Sequence, residues 1–221
     1  MNWIGRRIAT LSYVAVWPAL YVTAAVVFLV QVGGLETGGG TLGTADWLIL
    51  AAATGLGTYL LDRVKLRDAW LDPADAAAHP ARYGFLARRT GVVRGVAVAA
   101  LAVASVAGAA MGTWWGWAAA LPAASAAGVV AYAARPRAQR GSARPKDVLV
   151  FKNVYVAAGI TGFAAAVVMA AAHRGVTPVE LMRGLWSPVV VFALVQLFGR
   201  VMVDAALCDL DDESADRRFG T

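Results

Sequence analysis

Cysteine is all but missing: Cys208 is the single thiol in 221 residues. One thiol excludes an internal disulfide framework and any cysteine-rich metal site. Histidine is nearly as scarce. His79 and His173 are the only two, far apart and in loop-like sequence, which argues against a histidine metal centre. Charge is thin as well. Charged residues make up 15% of the chain, whereas a soluble domain carries roughly 25%. No stretch alternates at the strand period, and no segment reads as a soluble domain. A cleavable signal is also absent. Arg6 and Arg7 precede an apolar run too long for a signal core, with no clear small-residue cleavage site after it.

What is there is apolar. Hydrophobic residues are 59% of the sequence, and the mean hydropathy is +0.61. About 20 apolar residues cross a bilayer as a helix. The runs predict six crossings, at about 12–32, 46–61, 92–111, 113–134, 148–172 and 186–208. The third is rich in Ala, Val and Gly, which favours close helix packing. The fourth opens on Trp114, Trp115 and Trp117, the residue type that anchors helices at a membrane interface. The expected fold class is therefore all-α, a polytopic membrane helix bundle forming a single domain over 1–221.

The charges fall on alternate connections. Arg6 and Arg7 precede the first span, and the first connection holds no Lys or Arg. The second carries Arg63, Lys65, Arg67, Arg82, Arg88 and Arg89, and the fourth carries Arg135, Arg137, Arg140, Arg144 and Lys146. The fifth, with Arg174 and Arg183, is the weak spot in the pattern. Cytoplasmic loops collect Lys and Arg. This places the N-terminus, the second and fourth connections and the C-terminal tail in the cytoplasm. A net charge of +6 then reads as loop charge facing anionic lipid, not as a nucleic-acid surface.

Three polar features converge on that face. The tail after Cys208 packs Asp209, Asp211, Asp212, Glu213 and Asp216 into eight positions. Asp209, Asp212 and Asp216 stand at i, i+3 and i+7, one face of a helix. Carboxylates so placed suit a hard divalent ion, and Mg2+ commonly shares such a site with phosphate oxygens. Arg217 and Arg218 follow, and either is suited to phosphate. A solvated acidic tail is the plain alternative. The second feature is the end of span two, where Thr58 and Asp62 share a helix face and Arg63 follows. An interfacial ion pair is the plain alternative there. The third is Lys152 with Asn153 and Tyr155 at the start of span five, where a lysine also snorkels to an interface. Asp204 lies inside span six, where a carboxylate costs about 3 kcal/mol to insert. It needs a cavity or a partner, and Arg200 stands four residues earlier.

With these residues in hand, the chain resembles the UbiA superfamily of intramembrane prenyltransferases. That family carries one Asp-rich motif after its second helix and one after its sixth, both facing the cytoplasm. Its second motif often reads N/D-x-x-D-x-x-x-D-R-x-x-G-x-x-T. Here Asp209, Asp212, Asp216, Arg217 and Gly220 fall in that register. The segment around Lys152 resembles one in which a lysine reaches a diphosphate. The first motif, N-D-x-x-D-x-x-x-D in the family, is eroded: Thr58 stands for the Asn, Tyr59 for the first Asp and Leu66 for the last, and only Asp62 remains. The family fold has about nine helices, the form that satisfies backbone hydrogen bonds in a bilayer. This chain stops after its second motif and so reads as C-terminally truncated relative to that fold.

The resemblance implies a transferase that moves an isoprenyl group from an allylic diphosphate to an aromatic or lipid acceptor with Mg2+. It implies metal ligation and catalysis by Asp209, Asp212 and Asp216, with Asp62 as the remnant of a second cluster. It implies substrate binding by Thr58, Arg63, Lys152, Asp204 and Arg217, and a location in a bacterial inner membrane. The alternative is a non-catalytic relative that binds an isoprenoid, a lipid or a protein partner. A CDP-alcohol phosphotransferase is excluded by the missing D-G-x-x-A-R run. No paired, Gly/Pro-interrupted repeat suggests a transporter.

Overall fold

The computed structural model describes residues 16–32, 45–64, 80–133, 149–172 and 177–219, and from residue 208 onward it describes the backbone alone. These residues form α1 (Val16–Val32), α2 (Asp46–Val64), α3 (Pro80–Ala87), α4 (Thr90–Ala110), a 3-10 segment (Trp114–Ala120), α5 (Leu121–Ala133), α6 (Leu149–Ala172), α7 (Pro178–Leu185) and α8 (Pro188–Phe219). No strand occurs among the described residues. The all-helical class expected from the sequence holds. Pro80, Pro178 and Pro188 each open a helix, where proline lacks only an N–H that has no intrahelical partner anyway.

Three helical segments are long and apolar enough to cross a membrane: Thr90–Ala110, Phe151–Ala172 and Pro188–Leu207. Among the described residues the other three expected crossings do not reach that length and apolarity. α1 is apolar but has 17 described residues. α2 has 19 but carries Asp46, two threonines, Asp62 and Arg63. The fourth is broken. Thr113 Oγ1 accepts from the Ala118 N–H at 3.1 Å, and Trp115 (φ 54°) and Gly116 (φ 64°) are left-handed. A continuous α-helix begins only at Leu121. Trp115 is fully exposed, whereas Trp117 packs on the core. The membrane-length helices leave Val92, Val96, Val103, Val106, Phe192 and Val195 exposed. Apolar bands of this kind suit the lipid of a bilayer better than water.

α2 lies at the centre, with its most extensive packing against α4 and further contacts to α1, α5 and α6. Glycines permit the closest approaches. A Cβ on Gly57 would sit 2.9 Å from the Ala97 carbonyl oxygen of α4, and one on Gly55 would sit 3.1 Å from the Ala19 Cα of α1. Farther along, Arg94 Nη2 donates to the Val64 carbonyl at the C-terminus of α2. Contacts 57 to 97 and 64 to 94 make α2 and α4 antiparallel. α6 and α8 pack closely, with the short α7 between them in the sequence.

Candidate functional site

One long-range pair joins the first and last helices described. Tyr21 of α1 donates its hydroxyl to Asp204 Oδ2 of α8 at 2.9 Å. Arg200 Nε reaches the same oxygen at 3.1 Å. Asp204 lies 16 residues into α8, about 24 Å along its axis.

The partnership expected of Arg200 and Asp204 is present. Its ion pair is open on one side, since Arg200 is 73% exposed and Asp204 28%. An exposed i,i+4 pair contributes only about 0.3–0.5 kcal/mol. The Tyr21 hydrogen bond is the contact that ties two helices together. Tyr21 is the residue that the sequence reading missed. A tyrosine in an apolar run gives no local signal of its partner 183 residues away.

On α2, Thr58, Asp62 and Arg63 are half-buried. Thr58 and Asp62 share a face, as their spacing requires. Arg63 Nε is buried without a hydrogen-bond partner. Tyr59 packs against the central apolar cluster. On α6, Lys152 is half-buried and Asn153 is buried. Tyr155, a candidate for ligand hydrogen bonding, spends its hydroxyl on the Gly128 carbonyl of α5 at 2.8 Å. Its ring stacks on Tyr132 at 5.2 Å between centroids. Those contacts fasten α5 to α6 and make Tyr155 a structural residue.

Among the described residues five side-chain atoms are buried without partners: Thr54 Oγ1, Thr58 Oγ1, Thr161 Oγ1, Asn153 Oδ1 and Arg63 Nε. A buried polar group left unsatisfied costs about 1–3 kcal/mol. Helical threonines ordinarily relieve that cost by donating to the carbonyl four residues back. In this structure Thr23 does so to Ala19 and Thr90 to Leu86. Thr54 and Thr58 do not.

α8 continues as one helix to Phe219, 32 residues in all. That is about 48 Å, well beyond the hydrocarbon thickness of about 30 Å. Its last turns project past the apolar span. Asp209, Asp212, Asp216 and Arg217 lie on this projection, and their side chains fall outside the described residues. The backbone keeps the three acids at i, i+3 and i+7 of an unbroken helix. Among the described residues no three His, Cys, Asp or Glu side chains group as a metal site.

The chain matches no protein-family model, no curated protein and no solved structure in the three comparisons made.

Proposed function

We propose that the protein is an intramembrane prenyltransferase of UbiA type, using Mg2+ to move an isoprenyl group from an allylic diphosphate to a hydrophobic acceptor. In this reading six helices cross the membrane, three of them the long apolar ones. The N-terminus and both acidic motifs face the cytoplasm of a bacterial cell. The observation that carries the reading is the course of α8. It runs unbroken from Asp204, which is tied to α1, into the register of Asp209, Asp212 and Asp216. Asp62 stands in the last turn of α2.

An unbroken helix that sets positions 209, 212 and 216 at i, i+3 and i+7 suits a divalent ion, so Asp209, Asp212 and Asp216 would hold Mg2+, with Asp62 as a further ligand. Bound there, the ion supplies neutralisation of the charge that collects on a leaving diphosphate. The chain's own residues do the rest. Lys152, Arg63 and Arg217 bind phosphate oxygens and stabilise the departing anion. The unpartnered Arg63 Nε is a donor suited to that task. Thr58 contributes a hydroxyl where the family has an amide. Asp204, oriented by Tyr21 and Arg200, positions the motif that follows it on α8. The apolar helices shelter the prenyl tail from water.

One observation favours a second reading, a non-catalytic isoprenoid- or lipid-binding protein. Tyr59 packs into the apolar cluster where a motif-one carboxylate would stand, which leaves Asp62 as the sole acid of that motif. Turnover separates the two readings. The transferase releases diphosphate from an allylic diphosphate in the presence of a hydrophobic acceptor, needs Mg2+, and loses most of its rate in Asp62→Asn. A protein that binds the allylic diphosphate but never releases diphosphate with any acceptor is the second kind.

A further inference from the structure

We infer that α7 lies in the plane of the membrane interface with Val179 and Trp186 set into lipid, and that it anchors the end of α6 and the start of α8 to one surface of the bilayer. Chain connectivity places α7 there. α6 ends at Ala172, α7 runs from Pro178 to Leu185, and α8 opens at Pro188. α7 touches both neighbours. The segments that flank it, Phe151–Ala172 and Pro188–Leu207, both have the length and apolarity to cross a membrane. Where they cross, α7 stands at the bilayer edge. Its eight residues make a helix of about 12 Å, far short of a hydrocarbon thickness of about 30 Å. It is therefore not a crossing itself.

The two sides of α7 differ. Val179 is 67% exposed, and Trp186, in the turn directly after the helix, is 70% exposed. They stand seven residues apart, so at about 100° per residue they fall on one side. The Ser187 N–H donates to the Gly184 carbonyl at 3.1 Å, which carries the helical turn on through Trp186. The other side is polar. Thr177 and Glu180 are exposed there, and the Thr177 hydroxyl donates to Glu180 Oε2 at 2.8 Å. Gly184 stands about 140° round the helix from Val179. Arg183 lies at the border, where its stem rests on apolar surface and its charge stays among headgroups. The apolar side continues into α8: Trp186, Val189, Phe192 and Val195 follow at every third residue, all exposed. That continuity identifies what covers α7, since this is the band that α8 turns to lipid. Tryptophan is enriched at the membrane–water boundary. A helix divided in this way sinks its apolar side about 5–10 Å into the layer between headgroups and acyl chains.

The anchor rests on α6 and α8 crossing a bilayer, and not on the transferase reading, because it is tested without diphosphate or Mg2+. The full chain with Cys208→Ser receives one new cysteine at a time: Val179→Cys, Trp186→Cys, Gly184→Cys or Val195→Cys. Gly184 accepts a label because a Cβ there meets nothing within 4 Å. Each variant carries a nitroxide and is placed in phosphatidylcholine nanodiscs. Spin resonance then compares collisions with oxygen, which concentrates in lipid, against collisions with a water-soluble nickel chelate. The expected oxygen-to-nickel ratio at positions 179 and 186 is about threefold or more above that at 184, and all three lie below the ratio at 195. Equal ratios at 179 and 184 overturn the proposal, and 179 decides alone if Trp186→Cys does not fold. A ratio at 179 as high as that at 195 also overturns it, since α7 would then be sunk in the hydrocarbon core. Lipid values at 195 with water values at 179 remove the anchor and leave the crossings standing. Water values at 195 as well remove both.

Discussion

The Tyr21 hydroxyl and the Asp204 carboxylate, on the first and last helices described, meet at 2.9 Å across 183 residues of sequence. This bond fixes where α8 stands before it leaves the apolar span, and so fixes the root of the acidic motif. Tyr21→Phe removes the donor and keeps the ring. A net loss of about 1 kcal/mol is expected, read as a lower unfolding midpoint in detergent. Asp204→Leu should cost less when made on Tyr21→Phe than on the wild type, because the interaction has already gone. Additive losses from the two substitutions would show that the pair is not coupled.

Gly108 is the tightest contact between α4 and the 3-10 segment. A Cβ there would lie 2.5 Å from the Ala118 carbonyl oxygen, a backbone atom that cannot swing away. Gly108→Ala should therefore destabilise by about 1–3 kcal/mol. Gly95→Ala, where a Cβ meets nothing within 4 Å, should be neutral or slightly stabilising. Comparable unfolding midpoints for the two variants would show that the 3-10 segment yields to α4.

α7 opens on a reciprocal cap. The Thr177 N–H donates to Glu180 Oε2 at 2.8 Å, and the Glu180 N–H donates to Thr177 Oγ1 at 3.3 Å. The Thr177 backbone N–H, then its hydroxyl and the nearby Arg183, hold the exposed Glu180 carboxyl below its ordinary value of 4.5. A carboxylate whose folded value is depressed stabilises above its unfolded value and loses that contribution as pH falls through the folded one. Protection of the Thr177 amide from hydrogen exchange should thus be full at neutral pH and decline below about pH 4.5. Glu180→Gln should lower the protection at neutral pH and flatten its pH dependence. A pH dependence retained in Glu180→Gln would assign the titration to another group.

Lys152 tests the phosphate assignment. Lys152→Met keeps an unbranched apolar stem and removes the cation. Binding of an allylic diphosphate should weaken by at least tenfold, about 1.4 kcal/mol, with membrane insertion intact. Unchanged affinity would leave Lys152 as a residue that snorkels to the interface.

Much of the fold was legible because a bilayer leaves few options. Long apolar runs must be helices, and the Thr90–Ala110, Phe151–Ala172 and Pro188–Leu207 segments lie close to the expected boundaries. The break before Leu121 was not legible, since only Gly116 among three tryptophans hints at a left-handed turn. Within the site, Arg200 and Asp204 could be paired from their spacing alone. Thr54 could have been suspected, standing four residues before Thr58 and eight before Asp62 on one face. Tyr21 could not, and neither could the diversion of Tyr155 to Gly128. Tertiary contacts between distant helices decide both, and no local pattern encodes them.

The central claim is a magnesium-dependent diphosphate site on the helical extension of α8. It is tested most directly by binding a labelled allylic diphosphate to the full chain in lipid nanodiscs, with Mg2+ and with EDTA. Wild type, Asp212→Asn and Asp75→Asn, an acid outside both motifs, are compared. The expected result is binding that requires Mg2+, falls at least tenfold in Asp212→Asn, and is unchanged in Asp75→Asn. No Mg2+-dependent binding by the wild type, or equal binding by Asp212→Asn and Asp75→Asn, would contradict the account.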